Sequence, residues 1–210
     1  MPELKRGKRM FDPIKPVKII TIKNEKGSTK VSYPKIVGMK NMKVEGQINK
    51  AIRKVVNQLK EEAEEPDTSV TITYSIKANR NGVLSLIILL DFYKEHAAHP
   101  MQVRRALTFS TLSGHNFTFS ELFNPNSYYK TRLTRYVSDY IKAEHIPIFD
   151  QPPKVSDKQE YYLTDEALVL FYQLYEYTPY AYGFLEIPVP FEIVMPMLSR
   201  HSPIRQLTSR

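Results

Sequence analysis

Glu95-His96-Ala97-Ala98-His99-Pro100, with Asp91 just upstream, puts two imidazoles and a carboxylate into one short stretch, the side chains that ligate divalent metals. The spacing argues against that use. On an extended segment residues i and i+3 point to opposite faces, and no third histidine is near in sequence, so this stretch reads as a structural turn and no metal is expected. Ser113-Gly114-His115 sets a hydroxyl beside an imidazole, as a nucleophile and its base would be set. It lacks the Gly-x-Ser-x-Gly elbow and an identifiable acid to orient the imidazole, so a polar turn is expected. Asp165 and Glu166 are adjacent carboxylates in a turn sequence, where they are solvated; acid–base catalysis needs carboxylates held in a cleft with separated pKa values. A hydrolase of cell-wall polymers acting through His99, Asp165 or Glu166 is the enzymatic reading these residues leave open.

The most informative stretch is Tyr175-Glu176-Tyr177-Thr178-Pro179-Tyr180-Ala181-Tyr182-Gly183-Phe184. Tyrosine combines a large rigid face with a hydroxyl and few rotatable bonds, so a tyrosine cluster on a proline-stiffened loop can bind carbohydrate or protein at low entropic cost. Tyr177, Pro179, Tyr180 and Tyr182 are the candidate partner-binding residues. Alternation along an extended segment puts Tyr180 and Tyr182 on one side and Ala181 on the other. The alternative is that these rings cover a sheet edge.

Absence of cysteine among the 210 residues excludes disulfides, thiolate metal sites, iron–sulfur ligation and a cysteine nucleophile, and no cofactor motif is spelled out. The formal charge of +8 is uneven: residues 1–60 carry 16 Lys or Arg against 4 acids, and the rest 14 against 18. A basic segment of this kind is drawn to anionic polymers, whether nucleic acid, phospholipid or wall polymer. Nucleic-acid binding through it is a second alternative, although aromatics do not interleave with the lysines, as they do in single-strand binders. No apolar h-region of a signal peptide and no run of about 18 apolar residues is present, so the chain as given is expected to be soluble.

The elements that must carry these residues are α and β in alternation. Val17–Lys23 and Thr29–Ile36 flank a turn at residues 24–28, and Ile48, Ile52, Val55, Val56 and Leu59 form the stripe of an amphipathic helix. Val70–Lys77, Val83–Tyr93 and Val103–Ser110 read as a meander. Ser127 opens a second helix with Leu133, Tyr136, Val137, Tyr140 and Ile141 on one face. Tyr161–Leu163 and Ala167–Leu174 form a hairpin, and Glu186–Val194, which holds Pro188 and Pro190, is an edge strand. The expected fold is α+β, with two packed subdomains, each an antiparallel sheet covered by one helix, at Glu45–Glu62 and Ser127–Glu144. The divisions expected are a basic arm and first strand at 1–29, subdomains at 30–114 and 115–196, and a loose tail at 197–210.

Tyr161-Tyr162-Leu163-Thr164-Asp165-Glu166-Ala167-Leu168-Val169-Leu170, then Tyr175-Glu176-Tyr177-Thr178-Pro179-Tyr180 and Gly183, resemble the carboxy-terminal domain of the lysozyme-sensing anti-sigma-V factors. Similar domains are fused to peptidoglycan deacetylases. Tyr33-Pro34, Ile48-Asn49, Leu84-Ser85-Leu86, Ala98-His99-Pro100 and Ser120-Glu121-Leu122-Phe123 agree, so the likeness spans residues 30–194. The resemblance implies an extracytoplasmic, non-catalytic sensor module whose partner is a lysozyme-like protein or peptidoglycan. The chain departs from those relatives in lacking the transmembrane helix, the sigma-binding segment and the deacetylase motifs, and it has Ala97 and Ala167 where glycine is common. The missing export signal leaves a cytoplasmic location as the alternative.

Overall fold

The computed structural model describes residues 14–208; the first thirteen residues of the expected basic arm lie outside the described residues. β1 (Lys18–Lys26) and β2 (Thr29–Val37) form a hairpin, and α1 (Met42–Glu62) leads to β3 (Thr68–Arg80), β4 (Val83–Lys94) and β5 (Met101–Ser110). These five strands make one sheet in sequence order. β2 and β3 run parallel, with Thr29 opposite Val70, while all other neighbours are antiparallel. The expected all-antiparallel arrangement is corrected here: α1 lies between β2 and β3 in the chain and returns the backbone to the end from which β2 started. The α+β class itself is as expected.

α1 begins at Asn41, whose side chain accepts from the Lys43 and Val44 amides at 3.1 and 3.2 Å. Its apolar stripe, Val44, Ile48, Ile52, Val56 and Leu59, is buried against Ile72, Leu86, Ile88 and Leu90 of the sheet. Asn49 on the same face closes a two-way bond with Ile36 of β2, accepting from its N–H and donating to its carbonyl, each at 2.8 Å. The β3–β4 hairpin turns on Asn81 and Gly82, at φ 50° and 80°, the left-handed pair that a two-residue hairpin matching the strand twist requires.

α2 (Tyr129–Ala143) lays Leu133, Val137 and Ile141 over the second sheet, built from β6 (Tyr161–Leu163), β7 (Ala167–Tyr172) and β8 (Leu185–Pro190) in that order, all antiparallel. β8 is an edge strand, as its two prolines demand; both are exposed. The outer face of the first sheet meets the second through Ile87, Tyr162, Val169 and Phe171. Ser85, the polar break in an apolar run, is wholly buried there: its Oγ accepts from the Leu163 N–H at 2.9 Å and lies 2.9 Å from the Thr108 hydroxyl. A bulge between Ile76 and Ala78 places the Lys77 ammonium 5.1 Å from the Tyr162 ring.

Two further expectations change. The edge strand stops at Pro190 and continues as a short helix, α3 (Phe191–Val194). The stretch from residue 197, expected as a loose tail, is packed through residue 208: Met197, Leu198, Ile204 and Leu207 are buried, and α4 (Pro203–Thr208) receives hydrogen bonds from Arg80 and Asn81 on its Leu207 and Gln206 carbonyls. Its apolar residues are few and spaced over a segment with prolines and charges, so they leave no clear periodic signal in the sequence.

Candidate functional site

The β7–β8 connection, residues 173–184, folds against the open edge of β5 and the turn that precedes it. Gln173 anchors it: its side-chain amide accepts from the Arg104 N–H at 3.0 Å and donates to the Arg104 carbonyl at 2.8 Å, covering backbone groups that an edge strand would leave exposed. The Arg104 guanidinium pairs with Glu186 and lies 3.9 Å from the centre of the Phe184 ring. Glu176 then accepts from the Gln173 N–H at 2.8 Å, and Tyr175 takes a left-handed backbone, φ 62°, that turns its ring outward.

From the other side comes His99, in the β4–β5 turn. Its Nε2 lies 2.9 Å from the Tyr175 hydroxyl and its Nδ1 lies 3.0 Å from the Pro100 carbonyl. The imidazole stacks on Tyr180 with centres 4.0 Å apart, Tyr175 stacks on Tyr180 at 5.6 Å, and the Tyr180 hydroxyl donates to Pro100 O at 2.8 Å. Three rings from two distant segments therefore form one fixed cluster. Tyr175 in the cluster is 45% exposed; elsewhere on the connection Tyr182 is 41% exposed, and Phe149, from the stretch after α2, 59%. Phe149 is held to the loop through its N–H, which donates to Tyr177 O at 2.9 Å, and a cavity of about 440 Å³ opens between Phe149, Gln151, Lys154, Glu176 and Tyr177.

The four candidate residues separate. Tyr180 belongs to the stack. Tyr177 turns inward, its ring edge-on to Tyr172 at 5.0 Å, and burial with Glu176 nearby raises its pKa above the ordinary value. Pro179 precedes a single 3-10 turn, Tyr180–Tyr182, so the extended geometry expected for that segment is corrected: at three residues per turn Tyr180 and Tyr182 do not share a side. Tyr182 stays exposed next to Tyr140, whose pKa it helps to raise after burial and Glu144. Gly183, at φ 84° and ψ −154°, ends the turn in a backbone region essentially reserved for glycine. His99, Tyr175 and Phe149 were not in the expected set. His99 stood in the sequence as a metal-ligand candidate, in the hydrolase alternative and in the Ala98-His99-Pro100 likeness, but nothing local ties it to a tyrosine 76 residues away.

The residues of the hydrolase reading, His99, Asp165 and Glu166, do not come together. Asp165 sits in the β6–β7 turn, 4.0 Å from Arg80, at the opposite end of β7 from His99. Six residues of strand at ~3.3 Å each separate the two by roughly 20 Å. Asp91 accepts from Gln102 at 2.6 Å, and among the described residues no three His, Asp or Glu side chains gather as metal ligands. His115 does have an acid, Glu121, at 2.9 Å, a partner the sequence reading did not identify; Ser113 meets it only through an acceptor bond from the His115 N–H at 3.3 Å. A cavity of about 790 Å³ lies at the C-terminal end of α1 among Glu61, Glu64, Glu65, Asp67 and Glu95, away from these groups. Lys18, Lys23, Lys26, Lys30 and Lys35 are exposed on the β1–β2 hairpin. No described helix is long and apolar enough to cross a membrane.

Comparison with known proteins places this architecture. No curated protein matches the chain. Residues 120–192, from the turn before α2 into α3 and including the whole tyrosine loop, match a family model described as protein of unknown function (DUF3298). A DUF3298 family member from Bacteroides fragilis is 14% identical over 92% of this chain and 98% of that one, with a TM-score of 0.71. A DUF3298 family protein from Pseudomonas aeruginosa is 12% identical over 92% and 97%, with a TM-score of 0.67. The chain is thus similar in fold, along nearly all of its length, to solved DUF3298 proteins, and in sequence to that family over residues 120–192.

Proposed function

We propose that this chain is a non-catalytic binding and sensor module of the bacterial cell envelope, recognising a lysozyme-like protein or peptidoglycan through the ring surface of the β7–β8 connection. The observation that carries the reading is the His99–Tyr175–Tyr180 stack, fixed at both tyrosine hydroxyls, with the Tyr175 ring exposed. Rings already held in place lose little freedom when a partner docks, so their contact area converts efficiently into affinity. The partner class and the extracytoplasmic location come from the motif resemblance over residues 30–194. The hydrolase alternative draws no support from the arrangement, since both His99 ring nitrogens are engaged and the carboxylates of Asp165 and Glu166 lie at the far end of β7.

Titration calorimetry with lysozyme and with soluble peptidoglycan fragments tests the reading. Heat is expected with one of them, weakened by Tyr180→Ala by about 2 kcal/mol, roughly thirtyfold. Absence of heat with both partners would remove the proposal, and full affinity in Tyr180→Ala and Tyr182→Ala variants that melt earlier would make the loop a structural lid.

A further inference from the structure

Each of the two sheets has two edges, and among the described residues three of the four are short, guarded or capped. β6 is three residues long, and β8 carries Pro188 and Pro190, which have no N–H to offer a further strand. β5 is capped group by group. The Gln173 side chain takes the Arg104 N–H and carbonyl, the Glu160 carboxylate takes the Ala106 N–H, Asn116 takes the Thr108 N–H at 3.2 Å, and the Phe117 N–H reaches the Thr108 carbonyl at 2.8 Å.

β1 is the exception: it is nine residues long and pairs only with β2. Lys26 and Thr29 flank a two-residue turn and so exchange ladder bonds, and alternation gives the same role to Asn24, Ile22, Ile20 and Lys18. The N–H and carbonyl groups of Ile19, Thr21, Lys23 and Glu25 therefore point away from β2, and none of them has a hydrogen-bond partner among the described residues. The strand is nonetheless held in place. Val17, just before it, exchanges two bonds with the Asn79 side chain, at 3.0 and 2.9 Å, and the Thr21 hydroxyl lies 2.6 Å from that of Tyr74. A fixed edge loses little freedom when a strand is added to it.

The side chains specify the strand that fits. Residues 18–37 hold five lysines against one acid, Glu25, and all six are exposed. Edge lysines deter pairing between copies, because a second β1 would bring like charges together. They admit an acidic strand. Lys18, Ile20, Ile22 and Lys26 lie on one face of β1, charged at the ends and apolar in the middle, with Ile20 41% exposed.

We propose that the free edge of β1 takes up an extended segment of a partner protein as an added strand, apolar at its centre and acidic at its ends. Main-chain bonds to Ile19, Thr21, Lys23 and Glu25 hold the segment, and acids opposite Lys18 and Lys26 set its register. The ring surface lies against the β5 edge, at the other side of the sheet, so the two proposals stand or fall separately.

Calorimetry with the full chain and a nine-residue peptide, threonine alternating with Glu, Val, Val, Val and Glu, tests the proposal. Binding is expected, weakening with salt, and the Ile19, Thr21, Lys23 and Glu25 amides should become protected from hydrogen exchange. The same peptide with Lys at both ends should bind roughly tenfold more weakly or worse. Lys23→Pro removes one outward N–H and leaves the bonds to β2, so it should weaken binding roughly tenfold or more; Lys23→Gln keeps that N–H and should lose about threefold at most. Circular dichroism should show an unchanged fold in both, since Lys23 is exposed and its N–H makes no bond. Tyr180→Ala should bind the peptide as the wild type does. No binding, equal affinity for the acidic and basic peptides, no protection at those amides, or full affinity in Lys23→Pro would each overturn the proposal. A concentration-dependent dimer in sedimentation that Lys23→Pro dissolves would assign the edge to a second copy and overturn it too.

Discussion

The Tyr175 hydroxyl and His99 Nε2 lie 2.9 Å apart and join the β7–β8 connection to the β4–β5 turn, so a loop that could have hung free is pinned at its tip. Tyr175 takes a left-handed backbone to reach that position, φ 62°, a conformation that persists in a non-glycine residue only when surrounding contacts hold it. His99→Ala removes the hydrogen bond and the stack on Tyr180 together, and is expected to lower stability by about 1–2 kcal/mol. Tyr175→Phe keeps the ring and should cost no more than about 1 kcal/mol. Urea denaturation reads both, and unchanged midpoints would show that the contact does not hold the loop.

Asn49 should matter more than its polarity suggests. It is 6% exposed, and its amide satisfies both the N–H and the carbonyl of Ile36, which is itself fully buried. Asn49→Leu fits the apolar stripe of α1 better, yet leaves two buried backbone groups without partners, at a cost of about 2–4 kcal/mol. Asn49→Asp retains the acceptor and loses the donor to Ile36 O. The expected order of urea midpoints is wild type well above both variants; a Leu variant as stable as the wild type would mean that water replaces the amide.

These two contacts mark where the sequence is legible. α1 and α2 follow from apolar spacing because a helix writes its buried face locally, every three or four residues, and Asn81-Gly82 announces its turn through backbone preference alone. Asn49 stood in a motif, but its partner Ile36 precedes it by 13 residues, outside the helix, and no periodicity connects them. The parallel β2–β3 pairing has the same origin: strand pairing across a helix is a relation between distant segments. In the candidate site the tyrosine loop could be read from composition, whereas the 3-10 turn at Tyr180–Tyr182 and the arrival of His99 depend on packing that no stretch of residues records by itself.

Tyr161 and Tyr172 offer a paired test of buried hydroxyls in the second sheet. The Tyr161 hydroxyl donates to Phe117 O at 2.7 Å, and the Tyr172 hydroxyl is buried without a partner among the described residues. Tyr161→Phe orphans a carbonyl and should cost about 1–2 kcal/mol, while Tyr172→Phe removes an unsatisfied group and should be neutral or stabilising. Equal losses in the two variants, measured by urea denaturation, would show that Tyr172 also has a hydrogen-bond partner, such as a bound water.

The same tyrosines predict how the fold responds to alkali. Burial, with Glu186 adding to it, pushes the Tyr162 hydroxyl up to about 12, and burial raises Tyr161 and Tyr172 above the ordinary value as well. An unfolded tyrosine ionises near pH ~10, so above that pH the unfolded chain releases protons that the folded chain keeps. Protons bound preferentially by the native state make stability fall as pH rises: the contribution is whole below about pH 10 and is lost progressively through the folded pKa, at up to ~1.4 kcal/mol per pH unit for each tyrosine. Lysines titrate in the same window, so the wild-type curve alone does not isolate the effect. The difference between the wild type and Tyr172→Phe does, because the variant lacks one buried phenol and should lose stability less steeply above about pH 10. Tyr128→Phe, at a position 79% exposed, serves as the control and should follow the wild type. If urea midpoints of Tyr172→Phe and the wild type fall in parallel from about pH 9 to about pH 11.5, the Tyr172 phenol ionises as readily in the folded chain as in the unfolded one, and it is reached by solvent.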